Sequence, residues 1–287
     1  MLESLDHVIL AVRDLEASTR TLATVLGRRP SWHGEHPGAG TANRLFRLEN
    51  TYLELLAPTG GGGAGKLLSS WLEERGEGPL GLAFGTSDAG QARSELARLD
   101  PGPIEKGLGR DTDSGAFREW RRVPLPLAQT RGVLLFAIEH TSPVEILPPA
   151  AAAAAEEATV FGLDHAVVRT EDPDRARALY GDGLGLRLAL DRSFPQWGAR
   201  LLFFRVGGIT VELAAPLEGG PEPIPQDRFW GLSYRVRDAD AARRRLDEAG
   251  LDVSEVRAGR KPGTRVFTVR GEPCGVATLM LEPPAES

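Results

Sequence analysis

The stretch LDHVILAVRDLEAS, Leu5 to Ser18, is used twice by this chain. LDHAVVRTEDPDRA, Leu163 to Ala176, repeats it 158 positions later. The offset holds at Leu5/Leu163, His7/His165 and Asp14/Asp172, and again at Leu26-Gly27 against Leu184-Gly185. It still holds at Leu53-Glu54-Leu55 against Val211-Glu212-Leu213. A constant offset over about fifty residues makes the chain a structural duplication, and that restricts the fold more than any local propensity. A second offset, 150, relates Asp88/Asp238, Ala92/Ala242, Arg93/Arg243 and Leu96/Leu246.

The local patterns repeat as well. Leu5 to Val12 alternates like a strand with both faces mostly apolar. Asp14 suits an N-cap, Leu15 to Leu26 carries a helical stripe, and Gly27 suits a C′ stop. Gly34 to Ala42 reads as a loop, Asn43 to Leu48 and Thr51 to Ala57 as strands, and Thr59 to Gly65 as a flexible glycine connector. The connector lacks a GK[ST] ending and is no phosphate loop. A short helix is expected over Lys66 to Arg75. The second unit begins with a strand at Leu80 to Thr86, a cap at Asp88 and a helix at Ala89 to Leu99. Strands follow at Phe117 to Pro124 and Val133 to His140. The second half repeats the plan: strands at Leu163 to Thr170, Arg200 to Val206, Thr210 to Ala215 and Gly231 to Val236, then Arg265 to Arg270 and Val276 to Glu282. Its helices are expected at Asp174 to Leu184 and Ala239 to Ala249, with a Pro/Gly-rich linker over Leu217 to Gln226. The chain thus contains four strand–helix–strands modules, each marked by an aspartate: Asp14, Asp88, Asp172 and Asp238. The expected domains are 1–148 and 160–287, joined by an Ala-rich segment, 149–159, that forms a short helix or a spacer.

Composition narrows the function classes. A net charge of −6 with scattered basic residues argues against a nucleic-acid partner, and Arg243 to Arg245 read as a solvated helix face. The apolar runs are too short to span a bilayer, and the N-terminus reads as lacking a signal peptide. One cysteine, Cys274, permits no intrachain disulfide and suits a cytoplasmic location. Abundant Ala, Arg, Gly and Pro with little Lys fits a GC-rich bacterial genome. The expected partner is a small molecule, and the expected assembly a monomer or homodimer.

Four βαβββ modules carrying LDHVILAV, LELLAP, LDHAVV and VELAAP at constant spacing resemble the vicinal oxygen chelate superfamily. That superfamily includes glyoxalase I, extradiol dioxygenases, methylmalonyl-CoA epimerase and bleomycin- and fosfomycin-resistance proteins. The first half, with HPGAGTAN at His36 to Asn43, is similar to a glyoxalase-like subgroup with an HPGxGTxN segment. The resemblance implies an α+β fold in which modules pair into two open eight-stranded cups, with helices on the outer faces. It also implies a divalent metal (Fe, Mn, Ni, Co or Zn) on a concave face, or none in its resistance-type members. An imidazole with carboxylates suits such an ion, and a chelated substrate can then form an enolate or react with dioxygen.

Carried over by position, the ligands would be His7, Glu54 and Glu139 in the first half, and His165, Glu212 and Glu282 in the second. Glu139 competes with its neighbour His140, since only one of the two can face the cup. The pattern departs from the family at Gly81 and Gly231, where a histidine is usual. Glu54 or Glu212 would ligate metal or remove a proton beside a carbonyl. His36, Asn43, Arg44, Trp197 and Arg200 would contact substrate, with Arg118 a further cation for an anion. The implied activity is a metal-dependent lyase, isomerase or dioxygenase on a small oxygen-rich molecule. The alternative is a metal-free binding or drug-sequestering protein of the same fold.

Overall fold

The computed structural model describes residues 1–218 and 226–284. Most of the Pro/Gly-rich linker read over 217–226 therefore lies outside the described residues, as do the last three residues of the second half.

The first half runs β1 (Ser4–Ala11), α1 (Leu15–Leu26), β2 (Trp32–His36), β3 (Thr41–Arg47), β4 (Tyr52–Pro58), α2 (Gly63–Arg75), β5 (Gly78–Gly85), α3 (Ala89–Glu95), β6 (Glu105–Asp111), β7 (Phe117–Pro124) and β8 (Leu134–His140). The second half has β9 (Val160–Arg169), α4 (Pro173–Arg177), β10 (Arg187–Phe194), β11 (Ala199–Val206), β12 (Ile209–Pro216), β13 (Arg228–Val236), α5 (Ala239–Glu248), β14 (Arg257–Ala258), β15 (Arg265–Val269) and β16 (Ala277–Glu282). Asp14, Asp88, Asp172 and Asp238 each accept a backbone N–H from the first turn of the helix that follows.

The two cups differ in closure. The first sheet, in the order β1-β4-β3-β2-β6-β7-β8-β5, closes into a barrel. Its seam is short, two residue pairs between β2 and β6. The second sheet, β10-β11-β12-β9-β13-β16-β15-β14, stays open as expected.

Strands β2, β6, β10 and β14 escape the sequence reading. Their residues are glycine-rich or charged, as in WHGEH and EKGLGRD, so alternation is weak. The last three residues of the glycine connector are helix, because α2 begins at Gly63. Its glycines allow close backbone packing. Gly65 N donates to Ala39 O at 2.9 Å and Thr59 N to Gly40 O at 2.9 Å. A Cβ on Gly40, which sits at φ +79°, would fall 1.4 Å from Gly61 O. The HPGAG tip is thereby docked on the start of α2, which lies across one end of the first cup.

The alanine run is neither helix nor free spacer. Ala150 N donates to Arg47 O and Ala153 N to Gly27 O, both within 2.9 Å. Arg245, read as solvated, instead bonds the C-terminal carbonyls of α1 at Thr24 and Val25 and the carbonyl of Ala158. A charged side chain there complements the helix C-terminus. Asn50 joins the halves by accepting from Leu163 N at 3.0 Å and donating to Leu163 O at 2.8 Å. A continuous apolar core from Leu5 through Val168 to Met280 lies between the helices and both sheets.

Gly40→Ala is expected to lower unfolding free energy by about 1–3 kcal/mol, because both its φ and its space exclude a Cβ. Urea denaturation of the two proteins checks this; equal midpoints would show that the glycine docking is dispensable.

Candidate active site

The first cup encloses a cavity of about 640 Å³. Its walls include Ile9, Leu45, Tyr52, Trp120 and Phe136, and α2 contributes Leu68 and Trp71. His7, His36, Asn43, Glu54 and Arg118 supply the polar groups.

Strand pairing explains how they meet. In the parallel β1–β4 pair, His7 is opposite Tyr52 and Ile9 is opposite Glu54. Paired residues project to the same face, so His7 and Glu54 both enter the cup. Their Nε2 and Oε2 lie 3.5 Å apart. Between β1 and β5 the register shifts from Leu5/Phe84 to His7/Ala83, leaving Asp6 as an extra residue. This bulge turns Asp6 to the side of His7, against simple alternation. Asp6 Oδ1 accepts from His7 Nδ1 at 2.7 Å, and both its oxygens lie 3.1 Å from His140 Nε2. Burial pushes the Asp6 carboxyl up, but the hydrogen bonds and charges of His140 and His7 outweigh it and hold the group far below the usual carboxylate range. An ionised Asp6 requires the His7 proton on Nδ1, so Nε2 faces Glu54 and the cavity. His7 also stacks on Tyr52, with ring centroids 4.5 Å apart.

Asn43 connects the other pole. Its Nδ2 donates to Glu54 Oε1 at 2.7 Å and lies 3.3 Å from His36 Nε2. His36 Nδ1 is 2.8 Å from Thr41 Oγ1. Burial pulls the His36 ring below its ordinary value, against Glu54 and aided by Arg122 and Arg118. A neutral His36 therefore donates from Nδ1 to Thr41 and accepts from Asn43 at Nε2.

The other predicted residues lie elsewhere. Glu139 does not enter the cup; it accepts from Ala89 N at 2.9 Å and pairs with Arg121 at 3.1 Å. His140 is the member of that pair that turns inward. Glu282 likewise accepts from Ala239 N at 2.8 Å and pairs with Arg265. Both glutamates sit at helix starts, where a carboxylate is favourable. Arg44 is held by Glu16 of α1 and the Asn43 carbonyl, away from the cavity. Arg200 pairs with Asp191 and Asp174, and Trp197 is an exposed turn residue stacked on Phe194 under Arg260.

The second half retains the bulge, and His165 Nδ1 is 2.5 Å from Asp164 Oδ2. Burial pushes the Glu212 carboxyl up, against the charges of His165 and Arg260. However, no ion pair within 4.0 Å joins His165 to Glu212 among the described residues.

The donor set does not fit the four-ligand metal site that the resemblance implies. Gly81 is the register equivalent of His7, and a Cβ there would fall 2.4 Å from Leu134 O. The equivalent of Glu54 is Phe136. In the second half these positions are Gly231 and Leu279. Among the described residues, no three His, Cys, Asp or Glu side chains are grouped to hold an ion. The first cup offers only His7 and Glu54 as paired donors toward the cavity.

Two cups built from four βαβββ modules, with a His/Glu pair at homologous strand positions, define a vicinal oxygen chelate protein. Residues 5–180 match the family model described as a glyoxalase-like domain, and residues 164–268 match the glyoxalase/bleomycin resistance protein/dioxygenase superfamily. The chain belongs to the glyoxalase-like family of the vicinal oxygen chelate superfamily. It is 33% identical over 97 residues to the ethylmalonyl-CoA/methylmalonyl-CoA epimerase of Cereibacter sphaeroides, covering 32% of this chain and 72% of that protein. Its fold is similar to a variant 4-hydroxymandelate synthase from Streptomyces coelicolor, with TM-score 0.69, 15% identity and 99% and 94% of the two chains covered. It is also similar to a hypothetical protein from Staphylococcus aureus, with TM-score 0.65, 11% identity and coverage of 96% and 97%. No helix among the described residues is long and apolar enough to cross a membrane.

Sequence reasoning missed Asp6, and between Glu139 and His140 it put Glu139 in the ligand set where His140 is the one that turns inward. Asp6 alternates outward on paper, and only the shared bulge beside both LDH motifs turns it inward. Asp6→Asn is expected to flatten the acid limb of the stability curve. A depressed folded pKa contributes stability above the unfolded value, about 3.9, and loses it as pH falls below that. Urea midpoints between about pH 2 and pH 6 check this; parallel curves for the two proteins would refute it.

Proposed function

We propose that this chain is an enzyme whose first cup moves a proton at a carbon beside a carbonyl group, as in an isomerase or lyase. The single observation carrying this reading is the chain Asp6–His7–Glu54 at the cavity floor. Glu54 removes the proton and His7 Nε2 exchanges it, while Asp6 fixes the ring's tautomer and steadies its positive charge. Asn43 orients Glu54 by holding Oε1, leaving Oε2 toward His7. The barrel walls and α2 surround these groups with mostly apolar side chains, which strengthens their interactions. The epimerase relationship supports a substrate with an acidic C–H between carbonyl groups. A cytoplasmic setting agrees with the single cysteine, Cys274.

Sequestration of a small molecule is the second reading, favoured by the apolar walls and by Gly81 and Phe136 at two usual ligand positions. Incubation in D₂O separates the readings. The wild-type protein is expected to catalyse deuterium incorporation at C2 of methylmalonyl-CoA or at C3 of a small 2-oxo acid, read by mass spectrometry. Glu54→Gln is expected to slow it by about 10²-fold or more while remaining folded. Protein-dependent exchange in neither substrate class would remove the enzyme reading.

A further inference from the structure

We infer that Arg118 forms an anion subsite and that the ligand of the first cup carries a carboxylate. This rests on the reading that the first cup is the working site, and it names the substrate class for it. Arg118 is only 9% exposed yet lines the cavity with His7 and Glu54. Its guanidinium carbon lies 5.2 Å from the Tyr52 ring centroid and 5.8 Å from that of Trp32. No carboxylate among the described residues is within ion-pair distance of it, whereas Arg121 and Arg122 of the same strand are paired with Glu139 and Glu105.

A guanidinium so far removed from water is costly unless an anion answers it, and aromatic faces return only part of that cost. Its planar fork matches the two oxygens of a carboxylate. Alternation along β7 fixes the placement: Arg118, Trp120 and Arg122 face the cavity, and Glu119 and Arg121 face away. Glu54 cannot serve as the partner, because its oxygens are committed to Asn43 and His7. A second unmet group lies beside the same indole. Asn43 Oδ1 is buried without a partner, and a Cβ on Gly34 would touch both it and Trp32 Nε1, at 2.1 and 2.2 Å. A ligand carboxylate would satisfy the guanidinium. Tyr52 lies between Arg118 and His7 and stacks on the latter, so an anion at Arg118 holds the substrate body next to the acid–base pair.

The test compares matched acids and amides in the intact protein: phenylacetate against phenylacetamide, and hexanoate against hexanamide. Binding is read by calorimetry and by fluorescence of the cavity tryptophans. The wild-type protein is expected to bind each carboxylate roughly tenfold or more tightly than its amide. Arg118→Gln is expected to abolish the preference, and Arg118→Lys to restore it in part while keeping the charge in place. Equal affinity for acid and amide, an unchanged preference in Arg118→Gln, or no carboxylate saturating below roughly 10 mM would overturn the assignment. Should Arg118→Gln fail to fold, the wild-type ratio and Arg118→Lys still decide it. Binding is measured without turnover, so loss of the anion preference and loss of deuterium exchange are separate results.

Discussion

The chemistry of the first cup depends on one extra residue in one strand. Without the bulge at Asp6, alternation would send this carboxylate outward beside Val8 and Leu10, which belong to the apolar core. With it, a buried carboxylate joins His7 to His140 and fixes which ring nitrogen of His7 faces Glu54. Because β1 pairs with both β4 and β5, the same residue sets the register across the middle of the sheet. The motif LDH is thus a structural instruction as much as a chemical one. Its aspartate needs the bulge, and the bulge makes its histidine an oriented acid–base group.

The duplicated half shows what this arrangement does not accomplish alone. Asp164 and His165 reproduce the bulge and the hydrogen bond, and Glu212 keeps its strand position. Yet the second sheet stays open, and among the described residues no ion pair within 4.0 Å joins its histidine and glutamate. Closure distinguishes the halves. The β2–β6 seam, together with α2 docked on the HPGAG tip, encloses the first cup. Enclosure keeps the polar groups at low dielectric, where an oriented dyad and a lone guanidinium have the greatest effect. One copy retained a shaped cavity, while both copies kept the common core that spans them.

Much of this was legible in the sequence, and the rest was hidden for identifiable reasons. The constant offset of 158 and the four capping aspartates revealed the modules, because caps and strand motifs are local signals. His7, Glu54, His36 and Asn43 were also readable, since motif and alternation agree at those positions. The strand WHGEH was hidden because glycine and charge suppress alternation, and the glycine connector because only a docked partner explains its composition. Glu139 and Glu282 misled because carrying ligands over by sequence position ignores strand register. The register puts Phe136 and Leu279 in the ligand rows and leaves the glutamates to cap helices. Arg118 was readable only as one candidate beside Arg44 and Arg200, because what sets it apart, burial without an acidic partner among the described residues, belongs to the folded state.

These substitutions act together. Replacing a metal-binding histidine by Gly81 and a carboxylate by Phe136 removes two electrophile-holding groups from the cup and makes its wall apolar. A substrate there must be activated and held by groups on other strands. In the proposed reaction Glu54 and His7 would supply the proton transfer, and Arg118 the fixed positive charge near which negative charge can develop. The opposite wall has a neutral His36, whose Asn43 partner holds Glu54 without competing for its proton. Positive charge thus sits at the Tyr52 end and the base at the centre. This polarity matches the proposed ligand, with its anionic end toward Arg118 and its acidic carbon over Glu54.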